Sequence, residues 1–236
     1  MRILSIIFSI VWATMSVSAQ TPTFRQLFDE GTHKAQTGNY ENAVEYYQKA
    51  VVLSPNEKME ANFLARIHFN LGVCLFHLQR NDEAVEELTE AINLRQGKYQ
   101  KAFYALGMAH GAMKNWQAGE TAFRQAVALK NNDGEAWFDL ALVLLEEKDF
   151  DAATAAFQNA VNYKSIGSAD AHNNLGVIYA LKNDFPAAEK EFKTALIKSN
   201  GKSIEAQNNL QFCKLYKQNL NRNLLGKLEL RRKSKQ

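Results

Sequence analysis

The chain has 236 residues, of which 46% are hydrophobic and 22% charged, and its formal net charge is +3. This balance suits a soluble folded protein and excludes a disordered polar chain. Two cysteines, Cys74 and Cys213, in so long a chain exclude a disulfide framework.

The first twenty residues stand apart. Met1-Arg2 precede an apolar run from Ile3 to Ala13, and small residues close the stretch at Val17-Ser18-Ala19. That order predicts a secretory signal peptide over 1–19, with cleavage after Ala19 and a mature chain from Gln20. Ser5 and Ser9 interrupt the run, which is shorter than the ~20 residues a membrane-spanning helix needs. No cysteine lies near the cleavage point for acylation. Export would carry both cysteines into an oxidising compartment, where pairing depends on whether the fold lets them meet.

Beyond Gln20 the chain repeats. Small residues at Gly31, Gly72, Gly107, Ala141 and Gly176 are each followed twelve residues later by another, at Ala43, Ala84, Gly119, Ala153 and Ala188. Seven further on comes an alanine every time: Ala50, Ala91, Ala126, Ala160 and Ala195. Three before each alanine stands a bulky residue: Tyr47, Leu88, Phe123, Phe157 or Phe192. The copies begin 34 to 41 residues apart, a period that marks a solenoid. Within each copy the apolar residues fall at intervals of three and four, which predicts two amphipathic helices. Breaks at 37–40, 114–116, 147–150 and 182–185 end the first helix, and Asn39, Asn115, Asp149 and Asp184 stand where they cap the second. Pro186 fits its first turn, where a missing N–H costs nothing. Helices joined by such short turns must cross closely, so the small residues are assigned to packing and given no chemical role.

The order W-x2-L-G-x2-Y, small residue, aromatic, Ala and often Pro resembles the tetratricopeptide repeat. "WFDLALVLLEEKDFDAATAAFQNAV" at 137–161 follows it nearly throughout, with Ala141 for the usual glycine and Leu144 for the tyrosine. "HNNLGVIYALKNDFPAAEKEFKTAL" at 172–196 keeps Leu-Gly and Tyr179, and Pro55 closes the first copy. The resemblance implies an all-α protein, a right-handed α-solenoid of about five helix-turn-helix repeats near 24–57, 65–98, 100–133, 134–167 and 169–202. Three departures stand out: Asn81 where the other copies carry an aromatic, Gly119 for the expected alanine, and seven extra residues within "NEKMEANFLARIHF". The extra residues predict a longer helix or loop between the first two repeats. Residues 203–218 carry the first-helix pattern alone, with Ser203 at the cap, and read as a helix covering the apolar end of the stack. Cys74 and Cys213 then share one first-helix position four repeats apart. Helices pack ~8–10 Å apart and a disulfide needs Cα atoms within ~7 Å, so two free, buried thiols are expected.

Chemistry-bearing motifs are scarce. His33, His68, His77, His110 and His172 are scattered along first helices, with His110 at the usual tyrosine position and His172 at the usual tryptophan position. The sequence has no H-E-x-x-H, C-x-x-C, G-x-S-x-G or phosphate-cradling loop. No enzyme activity, cofactor or metal is expected.

Solenoids instead offer an extended concave face. The resemblance places on it Phe28, Asp29 and Thr32, then Phe69, Asn70, Val73, Phe76 and His77, then Tyr104 and Met108. Phe138, Asp139 and Leu142 follow, then Asn173, Asn174 and Val177, and Asn208, Asn209 and Phe212 on the last helix. Phe28, Phe69, Tyr104 and Phe138 recur at one position and form an expected aromatic row, read as a partner-binding site or as packing between first helices. One position along runs Asp29, Asn70, Ala105, Asp139, Asn174 and Asn209, where amides can hold a peptide backbone without reading its sequence. Phe28 and Thr32 stand where the carboxylate-clamping members of the family carry lysine and asparagine, so that mode is not expected.

The tail is basic. Residues 214–236 hold eight Lys or Arg residues against Glu229, while the body before them is net acidic. In 219–236, Leu220, Leu224 and Leu228 alternate with Arg222, Lys227, Arg231, Arg232, Lys233 and Lys235, interrupted by Gly226. A helix there would lie on an anionic membrane surface or an acidic partner; the other reading is a disordered solubilising end. The sequence thus points to an exported, non-catalytic adaptor or scaffold that binds a protein or peptide partner on its concave face. The periplasm is the first expectation, secretion the second, and no nucleic acid is expected. The alternative is a periplasmic chaperone-like factor that holds extended clients.

Overall fold

The computed structural model describes residues 22–53, 60–165 and 167–219. The expected signal peptide over 1–19, Pro55 and the tail from 220 onward lie outside the described residues. Among the described residues, five helical hairpins follow one another. They are α1 (Phe24–Gln36) with α2 (Tyr40–Leu53), α3 (Ala61–His77) with α4 (Asn81–Leu94), and α5 (Gln100–Ala112) with α6 (Trp116–Leu129). Next come α7 (Gly134–Glu146) with α8 (Phe150–Asn162) and α9 (Ser168–Leu181) with α10 (Phe185–Lys198); a single helix, α11 (Ile204–Asn219), closes the stack. Among the described residues there is no strand, and the fold is an all-α repeat solenoid.

The small residues mark the crossings because nothing larger fits. A Cβ added at Gly31 would lie 2.9 Å from the Tyr47 ring, and one at Gly107 would lie 2.8 Å from the ring of Phe123. At Gly72 it would meet Leu88 at 2.7 Å, and at Gly176 it would meet Phe192 at 2.6 Å. The bulky residue of each second helix is therefore seated directly on the glycine of its own first helix. Phe157 and Ala141, at the corresponding positions of the fourth hairpin, are both fully buried in one core cluster. Such knobs make one core through the stack, because each hairpin also packs on the next.

Each hairpin turns through one left-handed residue: Gly38, Gln79, Lys114, Lys148 or Asn183, with φ of 76°, 62°, 59°, 63° and 63°. The residue after it bonds back to a carbonyl five positions earlier, as Asp149 N–H does to Leu144 at 2.9 Å. This closure satisfies carbonyls that a helix end leaves open. Side-chain caps then start the next helix. Asp149 and Asp184 accept from the N–H groups of Ala152 and Ala187 at 3.0 and 3.1 Å, and Asn39 accepts from Asn42 at 3.3 Å. Asn115 makes no such bond, contrary to its expected role. Ser203 accepts from Ala206 N–H at 3.3 Å. Two caps had no forecast: Asp133 on α7, and a Thr23–Gln26 capping box on α1.

The extra residues lengthen α3 to 17 residues, against 13 or 14 in the other paired first helices. Cys74 on α3 and Cys213 on α11 are buried and are not joined by a disulfide.

Candidate functional site

Neighbouring first helices touch directly, α1 with α3, α3 with α5, and α5 with α7. That closer approach sets the first helices on the inside of the stack's curve. A groove of about 510 Å³ opens there between α3 and α5. Its floor is apolar: Phe69, Val73 and Phe76 from α3, and Tyr104, Ala105 and Met108 from α5. Positions one helical turn apart share a face, which is why these residues converge. The rim is polar, with His77 at one end and Gln100, Lys101, Lys130, Asp133 and Glu135 at the other. Lys130 and Asp133 pair at 3.1 Å.

Tyr104 is fixed from below. Its hydroxyl donates to Oδ2 of Asp139 on α7 at 2.6 Å, and its ring meets Phe123 edge-on at 5.7 Å. Burial, and then the negative Asp139, push the phenol well above its ordinary 10.0. Phe69 leans on Tyr99, with ring centroids 5.2 Å apart. Burial raises the Tyr99 phenol as well.

A smaller hollow of about 270 Å³ adjoins the groove and shares Val73 and His77 with it. Its wall is a hydrogen-bonded cluster: the Tyr47 hydroxyl lies 3.1 Å from Thr32 Oγ1 and accepts from Asn70 Nδ2 at 3.2 Å. His77 stacks flat on Tyr40 at 4.4 Å.

The expected site residues divide. Phe69, Val73, Tyr104 and Met108 line the groove, and Asn70 lines the hollow. Phe28 and Phe138 do not belong to an exposed row, since they are 5% and 0% accessible. Phe28 is covered by Phe63, ring to ring at 4.9 Å, from the added length of α3. Phe138 lies under the turn before α9, where a Cβ at Gly167 would touch its ring at 3.2 Å. Asp139 is buried as the acceptor of Tyr104. Asn174 and Asn209 offer no peptide ladder either, for both are fully buried. Asn209 Nδ2 donates to Asn173 Oδ1 at 2.9 Å, and Asn173 Nδ2 to Asn174 Oδ1 at 3.4 Å, so these amides bind α11 to α9. The basic-tail residues from Arg222 onward lie outside the described residues.

Sequence reasoning passed over Gln100, Lys101, Asp133 and Glu135, which come from helix starts rather than helix middles. Lys101 stands one turn before Tyr104, and that spacing was the available signal. Among the described residues, no group of three or more His, Cys, Asp or Glu is placed to hold a metal ion. None of the described helices is long and apolar enough to cross a membrane.

Known proteins share this architecture. Residues 27–97, 104–168 and 150–203 match the tetratricopeptide repeat. A DnaJ homolog subfamily C member 7 homolog of Schizosaccharomyces pombe is 26% identical over 120 residues, which cover 51% of this chain and 24% of that protein. The matched segment thus spans about a quarter of that relative. The crystal structure of MamA is similar at a TM-score of 0.66 and 26% identity, covering 73% of this chain and 96% of that one. YrrB, a tetratricopeptide protein with an unusual peptide-binding site, superposes at 0.63 with 22% identity over 82% and 91% of the two chains. Repeat matches through most of its length and a stack of glycine-crossed hairpins lead to one conclusion: this chain belongs to the tetratricopeptide repeat family.

Proposed function

We propose that the chain is a non-catalytic adaptor holding an extended segment of a protein partner against α3 and α5. One observation carries the reading: Phe69, Val73, Phe76, Tyr104 and Met108 line an open groove of about 510 Å³ with a polar rim. Apolar side chains gathered in a concavity gain most by burying a partner's apolar side chain there. The family supports the reading, since tetratricopeptide proteins generally mediate protein–protein interactions, and YrrB has a peptide-binding site. The order of residues 1–19 supports a place in the cell envelope, the periplasm first, with the basic tail against an anionic membrane surface.

Crosslinking capture from the native envelope tests the proposal, with the wild-type chain beside a variant carrying Val73→Ser and Met108→Ser. Both replaced side chains are only partly buried, so helicity by circular dichroism should be unchanged. One partner at fixed stoichiometry, lost in the variant, is the expected result. Many apolar peptides captured weakly and without stoichiometry would instead mark a holder of extended clients. Equal capture by both chains would sink the groove as the site.

A further inference from the structure

The arginines among the described residues are of two kinds. Arg80 and Arg124 are paired with Glu83 and Glu120 at 2.5 and 2.6 Å. The guanidiniums of Arg25, Arg66 and Arg95 have no ion-pair or hydrogen-bond partner among the described residues and lie over aromatic rings instead. Arg66 stands 5.0 Å from the Phe28 ring centroid and 5.5 Å from that of Phe63. Arg25 stands 5.2 Å from the same Phe63 ring and 5.6 Å from Phe24, and Arg95 stands 5.0 Å from Tyr99. Burial raises the Tyr99 phenol, and the positive charges of Arg95 and Arg66 both act against that rise. Tyr99 in turn leans on Phe69 of the groove floor. The three guanidiniums are thus strung along aromatic rings that lead from α1 across α3 to the groove. Arg25 and Arg66 are exposed and Arg95 is half-buried. Asp29 and Glu30 on α1 and Glu60 at the start of α3 are exposed too, and none of them pairs with Arg25 or Arg66. Two like charges held at one ring repel each other, and a stacked guanidinium keeps its in-plane donors open to a planar, bidentate acceptor.

We infer that the partner segment carries side-chain carboxylates on one side of its apolar anchor, and that Arg25, Arg66 and Arg95 receive them over α1 and α3. This rests on the groove being the binding site. The two surfaces are continuous, since Arg66 stands one turn before Phe69 on α3. Phe28, at a clamping position of other family members, serves here as a ring under Arg66. On the α7 side of the groove Lys130 is already paired with Asp133, so the acidic residues lie on the α1 side. Packed helices stand ~8–10 Å apart and an extended backbone advances ~3.3 Å per residue, which puts the first carboxylate about three residues from the anchor.

Synthetic 15-residue peptides read by fluorescence anisotropy against the full chain test this. Each has a central Leu. The acidic peptides carry two Glu at three-residue spacing on one side, made with the Glu before or after the Leu, and the controls carry Gln or Lys in their place. One of the acidic peptides should bind roughly tenfold tighter than its Gln control at low salt, and the advantage should shrink toward 0.5 M NaCl as screening shortens. The double variant Arg25→Gln with Arg66→Gln changes two exposed side chains and should erase the advantage, with helicity and binding of the Gln peptide unchanged. Arg124→Gln, which removes a paired arginine, should keep it. Equal binding of Glu and Gln peptides, or tighter binding of the Lys peptide, would overturn the acidic segment and leave the apolar groove standing. A Glu preference that survives in the double variant would overturn the arginine site. Absence of binding by any peptide would remove the groove reading and this inference with it. Phosphatidylglycerol vesicles bound through Arg25 and Arg66, with no preference for Glu peptides, would overturn the inference in favour of a membrane surface.

Discussion

Tyr104 and Asp139 join two repeats through a single hydrogen bond of 2.6 Å, from the floor of the groove to a carboxylate buried on the next first helix. A charge-assisted bond of this kind is stronger than a neutral one. Tyr104→Phe should lower unfolding free energy by about 1–3 kcal/mol, since a buried acceptor loses a donor. Urea unfolding measures it, and a change within experimental error would mean that other partners of Asp139 suffice.

Glycines in this chain divide into those that must be glycine and those that need not. Gly107→Ala drives a methyl into the Phe123 ring and should cost about 1–3 kcal/mol. At Gly119 the nearest atom to an added Cβ is the Gly107 carbonyl at 3.5 Å, and at Gly111 nothing lies within 4 Å. Gly119→Ala and Gly111→Ala should each stabilise the helix by about 0.5–1 kcal/mol. Thermal melts of the three variants should move in opposite directions.

His110 sets a pH response. Its Nδ1 is buried without a hydrogen-bond partner, and burial lowers its pKa from the ordinary 6.5. The unfolded chain therefore binds the proton more readily than the folded one. Stability contributed by keeping His110 neutral is present in full above pH 6.5 and declines as pH falls through and below that value. Replacing it by Tyr, the residue usual at this repeat position, should flatten that part of the decline. Urea midpoints from pH 7.5 to 5 for the two proteins provide the test, and parallel curves would exclude a role for His110.

The two halves of the expected aromatic row should behave differently. Phe138→Ala opens a void in the core and should cost about 3–5 kcal/mol, whereas Met108→Ala should mainly weaken partner binding. Comparable destabilisation by both would place Met108 in the core.

That division shows which parts of the structure sequence spacing reaches. Crossings at Gly31, Gly72, Gly107 and Gly176 were legible because a crossing joins residues about sixteen positions apart within one hairpin. The fate of Phe28 and Phe138 was not, because each is covered by a neighbour from the following repeat, Phe63 or the Gly167 turn. The same position at Phe69 and Tyr104 stays half-open, although Tyr99 leans on Phe69 from the following repeat. Asn174 and Asn209 look like a ladder in sequence, but α11 packs against α9 and turns their amides inward. Lateral packing between repeats, not the pattern within one, decides which side chains a partner meets.

The two cysteines give the chain a pair of internal clocks. Cys74 and Cys213 are 2% and 4% accessible and belong to separate parts of the core. Burial holds the Cys74 thiol up at about 11, so a disulfide reagent at neutral pH attacks it only after local opening. Cys74 is braced by hairpins on both sides and also lines the hollow beside the groove. Cys213 rides on the closing helix, where its thiol donates to the Phe185 carbonyl at 3.8 Å. Its labelling should be the faster of the two and should time the fraying of the stack's end. A partner seated across the groove should slow the Cys74 clock and leave the Cys213 clock running.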